Sequence, residues 1–221
     1  MENAIILVSG GMDSCVTAAI AKSKNVNLFF LHASYGQRTQ RRELRAFQNM
    51  ADFYNVSDSL IIDMTHLSKI GGSSLTDHKI NIPTANLNSN NIPNSYVPFR
   101  NANILSAATS WAEIINASRI YIGAVEEDSS GYPDCRRIFF DFFEKTIESG
   151  TKPDTNIKIE TPLISLSKKE IVQKGIKMSA PLDLTWSCYK RESKPCGKCD
   201  SCALRQRGFK LANEIDPILK Q

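Results

Sequence analysis

A short loop with glycines and serines is the first feature of the sequence that could do chemistry. It reads SGGMDS over residues 9–14 and follows the apolar run 4–8. Two adjacent glycines allow a tight turn that brings backbone N–H groups against an anion, and hydroxyl donors stand beside a helix N-terminus. A Walker loop would end in Gly-Lys-Ser or Gly-Lys-Thr, and no such lysine follows here. We therefore predict a pyrophosphate cradle, against the simpler reading of a glycine turn after a buried strand.

The residues of this loop are predicted to have different roles. The predicted nucleotide-binding residues are Val8, Ser9, Gly10, Gly11, Met12, Asp13, Ser14 and Cys15. Ser9 and Ser14 are expected to aim donors at the charge that grows on a leaving pyrophosphate. A carboxylate beside phosphates would repel them unless it binds Mg²⁺ or caps the helix, so Asp13 is predicted to do one of these. Met12 and Cys15 are expected to pack on the sheet.

Four clustered cysteines form the second feature. Cys188, Cys196, Cys199 and Cys202 have the spacing C-x7-C-x2-C-x2-C. Four thiolates at about 2.3 Å close a tetrahedral zinc shell and leave no position open for substrate, so we predict structural zinc. An iron–sulfur cluster is the alternative metal group, and a nucleic-acid-binding zinc ribbon would share the spacing.

Composition restricts the class of protein. The chain has 221 residues and a net charge of +4, which suits one sizeable core and does not by itself indicate a nucleic-acid partner. No apolar run is long enough for a membrane span, and the first residues do not resemble a signal peptide. We expect a cytoplasmic protein with no membrane partner.

The sequence predicts strands that alternate with helices, and these elements must position the glycine loop and the four cysteines. Apolar runs predict strands over residues 4–8, 26–32, 56–63 and 119–123 and an edge strand over 157–159; helical spacing is found over 15–22, 38–54, 101–116, 134–149, 168–174 and 203–215. The prediction is an α/β fold with a doubly wound, mostly parallel sheet whose crevice lies at the strand C-termini. Residues 1–184 would form this domain and 185–221 a small zinc-binding element. Residues 71–97 are predicted to be a long loop, functional or disordered.

Longer motifs carry a resemblance to known families. SGGMDS resembles the PP-loop of ATP pyrophosphatases, whose fold is that of the adenine nucleotide alpha hydrolases. The other motifs are YGQR at 35–38, VPFRN at 97–101, SGYPDCR at 130–136, TPL at 161–163, TWSCY at 185–189 and PCGKCDSC at 195–202. Together they resemble the 7-cyano-7-deazaguanine synthases from the first strand to the last cysteine. That family commonly has histidine where this chain has Thr39.

The resemblance implies a reaction and its reactants. Such enzymes use ATP and ammonia to convert 7-carboxy-7-deazaguanine into the nitrile, by way of an amide, on the route to the queuosine base of tRNA. It implies ATP with Mg²⁺, 7-carboxy-7-deazaguanine and ammonia as partners, without direct binding of nucleic acid. Adenylation would turn a carboxylate oxygen into part of the leaving group AMP. A homodimer is left open.

Residue roles follow from the same motifs. Arg38 and Arg100 would clamp phosphate or the substrate carboxylate, because a guanidinium fork matches either anion. The residues implied in substrate binding are Arg100, Asn101, Tyr132, Asp134 and Arg136. From local sequence, a helix N-cap at Asp134 with an exposed Arg136 is an equal alternative. Cys135 is expected to line the pocket without reacting.

Two other functions remain as alternatives. One is a different PP-loop enzyme, either amide-forming or tRNA-thiolating. The other is an RNA-binding module built around the zinc ribbon, which would show steep salt dependence and need no ATP.

Overall fold

The computed structural model describes residues 1–89, 91–126 and 131–220. Its strands are β1 (Asn3–Leu7), β2 (Asn27–Ser34), β3 (Asp58–Asp63), β4 (Ala117–Ile122) and β5 (Lys158–Glu160). Its α-helices are α1 (Met12–Lys22), α2 (Gln40–Tyr54), α3 (His66–Ile70), α4 (Arg100–Ile115), α5 (Arg137–Gly150), α6 (Lys168–Lys177) and α7 (Asp200–Leu211). Short 3₁₀ turns occupy Pro133–Cys135, Leu182–Leu184 and Pro217–Lys220. No helix within the described ranges has the length and apolar character to cross a membrane.

The five strands form one parallel sheet. Their order is β3-β2-β1-β4-β5, and all four pairings are parallel. The chain places β2 and β3 on one side of β1, and then β4 and β5 on its other side. The point where the strand order reverses therefore lies beside β1, and α/β sheets bind ligands at such a switch point. The predicted doubly wound parallel sheet is confirmed, with residues 158–160 as its edge strand.

The sheet is covered on both faces. Ile6 of β1 and Phe30 of β2 belong to the core that includes α1 and α2 residues, α6 and the clustered cysteines. Ile5 and Leu7 face the other core, which includes α4 and α5 residues. This alternation is what a strand buried on both faces requires, since successive side chains point to opposite sides.

Several boundaries differ from the sequence prediction. The helix expected from Asp134 begins at Arg137, because a 3₁₀ turn precedes it. The last helix covers Asp200–Leu211 rather than 203–215, and α6 starts after Ser167 as expected. Ser167 forms a capping box with Glu170, in which its hydroxyl accepts from the Glu170 N–H. The short helix α3 was not predicted.

The predicted loop 71–97 packs at the C-terminal edge of the sheet. Leu75 and Val97 are buried in a third apolar cluster with Tyr35. The Ala85 N–H donates to the Lys198 carbonyl at 2.8 Å, which ties the segment to the cysteine-rich region. The described part of this loop is therefore packed against the rest of the protein.

Candidate active site

The loop between β1 and α1 is shaped by close backbone contacts. Gly10 has φ +91°, and a Cβ there would lie 2.6 Å from the Glu43 carbonyl oxygen, so a side chain is excluded on two grounds. The Ser14 hydroxyl donates to the Gly11 carbonyl at 2.9 Å, and the Gly11 N–H donates to Ser9 Oγ at 3.3 Å. These bonds fix the turn and leave the N-terminus of α1 facing outward, where a helix favours an anion.

A buried lysine completes this end of the sheet. Lys168, the first residue of α6, places its Nζ 2.6 Å from Asp13 Oδ2. The Lys168 side chain is only 7% exposed, whereas that of Asp13 is 30% exposed. Asp13 Oδ1 is buried and has no hydrogen-bond partner in the structure. The pair thus places a cation beside the loop and leaves one carboxylate oxygen free to accept a ligand.

A cavity of about 250 Å³ opens beside the loop. This volume lies just below the range for small-molecule sites, about 300–1,000 Å³. The predicted residues that line it are Val8, Ser9, Gly11, Met12, Asp13, Ser14, Arg100, Asn101 and Tyr132. It lies where the switch-point rule places a ligand. Gly10, Cys15, Arg38, Asp134 and Arg136 are not among its lining residues.

Arg100 and three tyrosines form one wall of the cavity. Arg100 donates to the Tyr35 hydroxyl at 3.1 Å, and its guanidinium lies 5.3 Å from the centre of the Tyr35 ring. The Tyr132 hydroxyl donates to Ser95 Oγ at 2.9 Å and also pairs with the Tyr189 hydroxyl. Burial raises the pKa of Tyr35 to about 12. The tyrosines are therefore neutral at physiological pH, and Arg100 is the cation of this wall.

Asn101 and Asp134 link α4 to the turn that precedes α5. The Asn101 N–H donates to Asp134 Oδ2 at 2.9 Å, and Asn101 Nδ2 donates to the Asp134 carbonyl at 2.8 Å. Asp134 is buried, and desolvation raises its pKa. It thus holds the start of α4 instead of facing the cavity. Arg136 is exposed and donates to the Pro133 carbonyl at 3.0 Å.

Arg38 contacts the long segment rather than the cavity. Its Nε donates to the Ser74 carbonyl at 2.8 Å, and its Nη2 donates to the carbonyls of Asp77 and Ile80 at 2.8 and 2.6 Å. Three carbonyl acceptors occupy the fork that was expected to clamp an anion. In this structure Arg38 holds residues 74–80 against the fold.

Cys135 lines the cavity as expected. Burial, reinforced by the nearby Asp134 charge, raises the pKa of its thiol to about 11. The Asn101 side-chain amide lies 3.4 Å from its sulfur. A thiol with this pKa is protonated and weakly nucleophilic at neutral pH.

Three lining residues have roles that the sequence analysis did not assign: Lys168, Glu43 and Tyr189. Each lies outside the SGGMDS loop, and although Tyr189 stands in the TWSCY motif, no local pattern assigns any of the three a role. One signal was available for Lys168. It opens a helix whose capping box is readable from the sequence, and the N-termini of helices in this fold class face the crevice.

The four clustered cysteines lie close enough to share one ion. All four sulfur atoms lie within 4.8 Å of one another. Tetrahedral zinc–thiolate geometry separates sulfur atoms by about 3.8 Å, given bonds of about 2.3 Å. Three backbone N–H groups, of Lys190, Arg191 and Cys196, point at Cys188 Sγ at 3.3–3.4 Å. Hydrogen bonds from the Cys199 and Cys202 thiols and from the Cys196 and Lys190 amides lower the pKa of Cys188, and the contact with Cys188 raises the pKa of Cys199 and Cys202.

The cysteine-rich segment also forms part of the cavity wall. The backbone N–H of Trp186 donates to the Gly10 carbonyl at 2.8 Å, and Trp186, Ser187 and Tyr189 line the cavity. The Arg42 guanidinium lies 4.6 Å from the centre of the Trp186 ring. The cysteine cluster and the glycine loop are therefore neighbours, because Trp186, which contacts Gly10, lies two residues before Cys188.

Comparison with known proteins decides the family. Residues 3–213 match the model of a family described as queuosine biosynthesis protein QueC. The chain belongs to the QueC family. It is 59% identical over 215 residues to the 7-cyano-7-deazaguanine synthase of Chloroherpeton thalassium, covering 97% of this chain and 95% of that protein. The corresponding protein of Chlorobium chlorochromatii is 58% identical, with 97% and 94% covered. The family resemblance inferred from the motifs is confirmed.

Solved structures agree on the fold of this QueC family chain. An NMN synthetase from Francisella tularensis has a TM-score of 0.51 and 12% identity, with 97% of this chain and 78% of that chain covered. A 4-thiouridine synthetase in an RNA complex with bound ATP has a TM-score of 0.51 and 17% identity, with 96% and 50% covered. At these identities the similarity supports the predicted PP-loop type of fold.

Proposed function

We propose that this protein is a 7-cyano-7-deazaguanine synthase, which uses ATP and ammonia to convert 7-carboxy-7-deazaguanine into 7-cyano-7-deazaguanine. The observation that carries the proposal is one cavity lined by two kinds of anion-binding group. The glycine loop with Lys168 suits pyrophosphate, and Arg100 suits a carboxylate. The names of the relatives supply the identity of the product, and the family resemblance implies the acid as its precursor.

The loop would serve the first activation. The substrate carboxylate oxygen attacks the α-phosphorus of ATP, forming an O–P bond while the bond to the β-phosphate bridging oxygen breaks, and pyrophosphate leaves. Charge grows on that pyrophosphate, and the backbone N–H groups at the start of α1, Ser9, Ser14 and Lys168 would stabilise it, with the Ser14 hydroxyl turning from the Gly11 carbonyl to a phosphate oxygen. Arg100 and Asn101 would hold the deazaguanine acid with its carboxylate toward the nucleotide.

The same site would serve twice. Ammonia attacks the adenylated carbon, AMP leaves, and loss of a proton gives the amide. A second ATP adenylates the amide oxygen, and the nitrogen loses one proton as this imidate forms; loss of AMP and of the second proton from nitrogen then gives the nitrile. Both activations release pyrophosphate, so one cradle suffices for the carboxylate and the amide.

Two metal ions fit this proposal. Asp13 Oδ1, buried and without a partner, is the oxygen that would bind Mg²⁺, which neutralises phosphate charge when bound. The thiolates of Cys188, Cys196, Cys199 and Cys202 would hold one structural zinc ion, and the backbone amides aimed at their sulfur atoms support that role.

Product analysis tests the proposal. The purified protein would be incubated with ATP, Mg²⁺, ammonia and 7-carboxy-7-deazaguanine, and the products identified by mass spectrometry. Nitrile with two AMP and two pyrophosphate per product is the expected result. Amide as the final product would indicate an amide-forming member of the superfamily. No substrate-dependent ATP cleavage by folded, metal-loaded protein would contradict the proposal and favour the nucleic-acid-binding alternative.

A further inference from the structure

A second carboxylate in the cavity takes no part in the steps above. Asp13 and Glu43 are the acidic residues among the described residues that line the cavity. Asp13 is paired with Lys168 at 2.6 Å and stands at the pyrophosphate end. Glu43 belongs to the first turns of α2 and faces the wall that holds Tyr35 and Arg100. The two carboxylates thus stand in different chemical surroundings.

Neutral side chains hold Glu43 in place. The Thr39 hydroxyl donates to Glu43 Oε1 at 2.6 Å, and Gln37 Nε2 donates to Oε2 at 3.1 Å. Gln37 is itself fixed, because its Oε1 accepts from the Tyr35 N–H at 2.9 Å. Each Glu43 oxygen keeps further acceptor capacity, since a carboxylate has about four lone-pair sites.

The surrounding charges tune this carboxyl. Burial raises the pKa of Glu43 above its ordinary value, against the lowering effect of the bonds from Thr39 and Gln37. The Arg100 charge also lowers the pKa of Glu43, and the Glu192 charge raises it. The net upward direction makes Glu43 a better proton acceptor than a solvated glutamate.

The proposed reaction needs such an acceptor. Ammonia reaches the enzyme mostly as ammonium at neutral pH, and ammonium has no lone pair with which to attack carbon. The adenylation step does not deprotonate ammonium. A proton must therefore be removed from ammonium within reach of the adenylated carbon.

We propose that Glu43 is the catalytic base that takes this proton, an inference that rests on the proposed function. Ammonium gives one proton to the Glu43 carboxylate, and the nitrogen lone pair then forms the C–N bond to the adenylated carbon. The bond from that carbon to the AMP oxygen breaks, and the second excess proton on nitrogen passes to the phosphate of the departing AMP. Glu43 returns its proton to water before the next turnover.

Partial reactions separate this role from ATP binding. The first variant is Glu43→Gln, which keeps the size of the side chain and removes its basicity. We expect kcat/KM for ammonia to fall by about a hundredfold or more. Substrate-dependent exchange of labelled pyrophosphate into ATP, which requires adenylation and no ammonia, should stay near that of the unmodified protein.

An alternative nucleophile gives a second readout. Hydroxylamine is largely neutral at pH 7, so it can attack the adenylate without a base. The Glu43→Gln protein should form the hydroxamate at a rate close to that of the unmodified protein, while amide formation stays slow. Glu113→Gln is the control, because Glu113 likewise accepts from a threonine hydroxyl, with a backbone N–H in place of the Gln37 amide, and does not line the cavity.

A variant at Thr39 tests the pH dependence. The bond from Thr39 lowers the pKa of Glu43, so Thr39→Val should raise it. The basic form of Glu43 would then be lost at a higher pH, and the acid limb of the kcat/KM profile for ammonia should move to higher pH. A purely structural defect would lower the rate at every pH without moving this limb.

The outcomes distinguish the two proposals. If the unmodified protein forms neither amide nor nitrile, the proposed function fails. If it forms them and Glu43→Gln leaves the ammonia dependence unchanged, or slows ammonia and hydroxylamine equally with intact pyrophosphate exchange, the assignment of Glu43 as base is overturned.

Discussion

Lys168 Nζ lies 2.6 Å from Asp13 Oδ2, and this contact joins the first turn of α6 to the first turn of α1. We predict that Lys168→Met lowers ATP-dependent turnover by about a hundredfold, because the cation beside the pyrophosphate is lost. It should also lower the free energy of unfolding by about 1–3 kcal/mol, since it leaves a partly buried carboxylate without its partner. Steady-state kinetics and urea denaturation measure the two effects.

The neighbouring Lys169 supplies the control for this prediction. It is exposed on the same helix, so Lys169→Met should change neither quantity appreciably. Adding Asp13→Asn to Lys168→Met should recover part of the lost stability and no activity. An active Lys168→Met protein would remove this lysine from the site.

Ser14→Ala tests the glycine loop. We expect turnover to fall by about a hundredfold because a donor near the leaving group is removed, while the unfolding free energy drops by only about 1 kcal/mol with the loss of the hydroxyl's bonds to Gly11 and Ser9. Ser23→Ala removes a comparable bond to the Ile20 carbonyl at the other end of α1 and should leave turnover unchanged. Equal kinetic effects from both variants would mean that the loop hydroxyl has no special function.

Cys199→Ala tests the cysteine cluster. We predict loss of bound metal and a drop in stability of several kcal/mol, since ligands assembled around an ion contribute their binding energy to folding. Elemental analysis and thermal unfolding, with and without a chelator, measure both. Cys15→Ala is a cavity-forming control at a buried cysteine outside the cluster. A stable, metal-free and active Cys199→Ala protein would refute the metal site.

Cys135→Ala should retain nitrile formation within about threefold of the unmodified rate. The reason is that the thiol, with a pKa raised to about 11, is protonated in the working range. Alkylation of Cys135 by iodoacetamide should accordingly be slow near pH 7 and accelerate as the pH approaches that value. Abolished nitrile formation in a folded protein that still binds ATP would show a covalent role for the sulfur.

The sequence predicted the features that local patterns encode. Buried strands, the glycine loop and the four cysteines each depend on residues close together in the chain, and all appear in the structure as expected. Among the α-helices of the described residues, α3 was not predicted, because five residues give too little periodicity to detect a helix. The boundary placed after residue 184 stays a prediction, and Ser130 of the SGYPDCR motif lies outside the described residues.

Partners distant in sequence could not be predicted. Asp13 and Lys168 are 155 residues apart, and nothing in either local sequence indicates the contact. A motif also does not say which way a side chain points. Arg38 and Arg100 stand in equally distinctive motifs, yet one binds three carbonyls of the long segment and the other lines the cavity.

Trp186 and Cys188 fix the spacing between the glycine loop and the cysteine cluster. The backbone N–H of Trp186 donates to the Gly10 carbonyl, and the Cys188 sulfur belongs to the cluster. Two peptide units span at most about 7 Å, so the connection has no slack to absorb a change in length. Insertions and deletions should therefore be tolerated in the chain that follows the last cysteine of the cluster, Cys202, but not between Trp186 and Cys188.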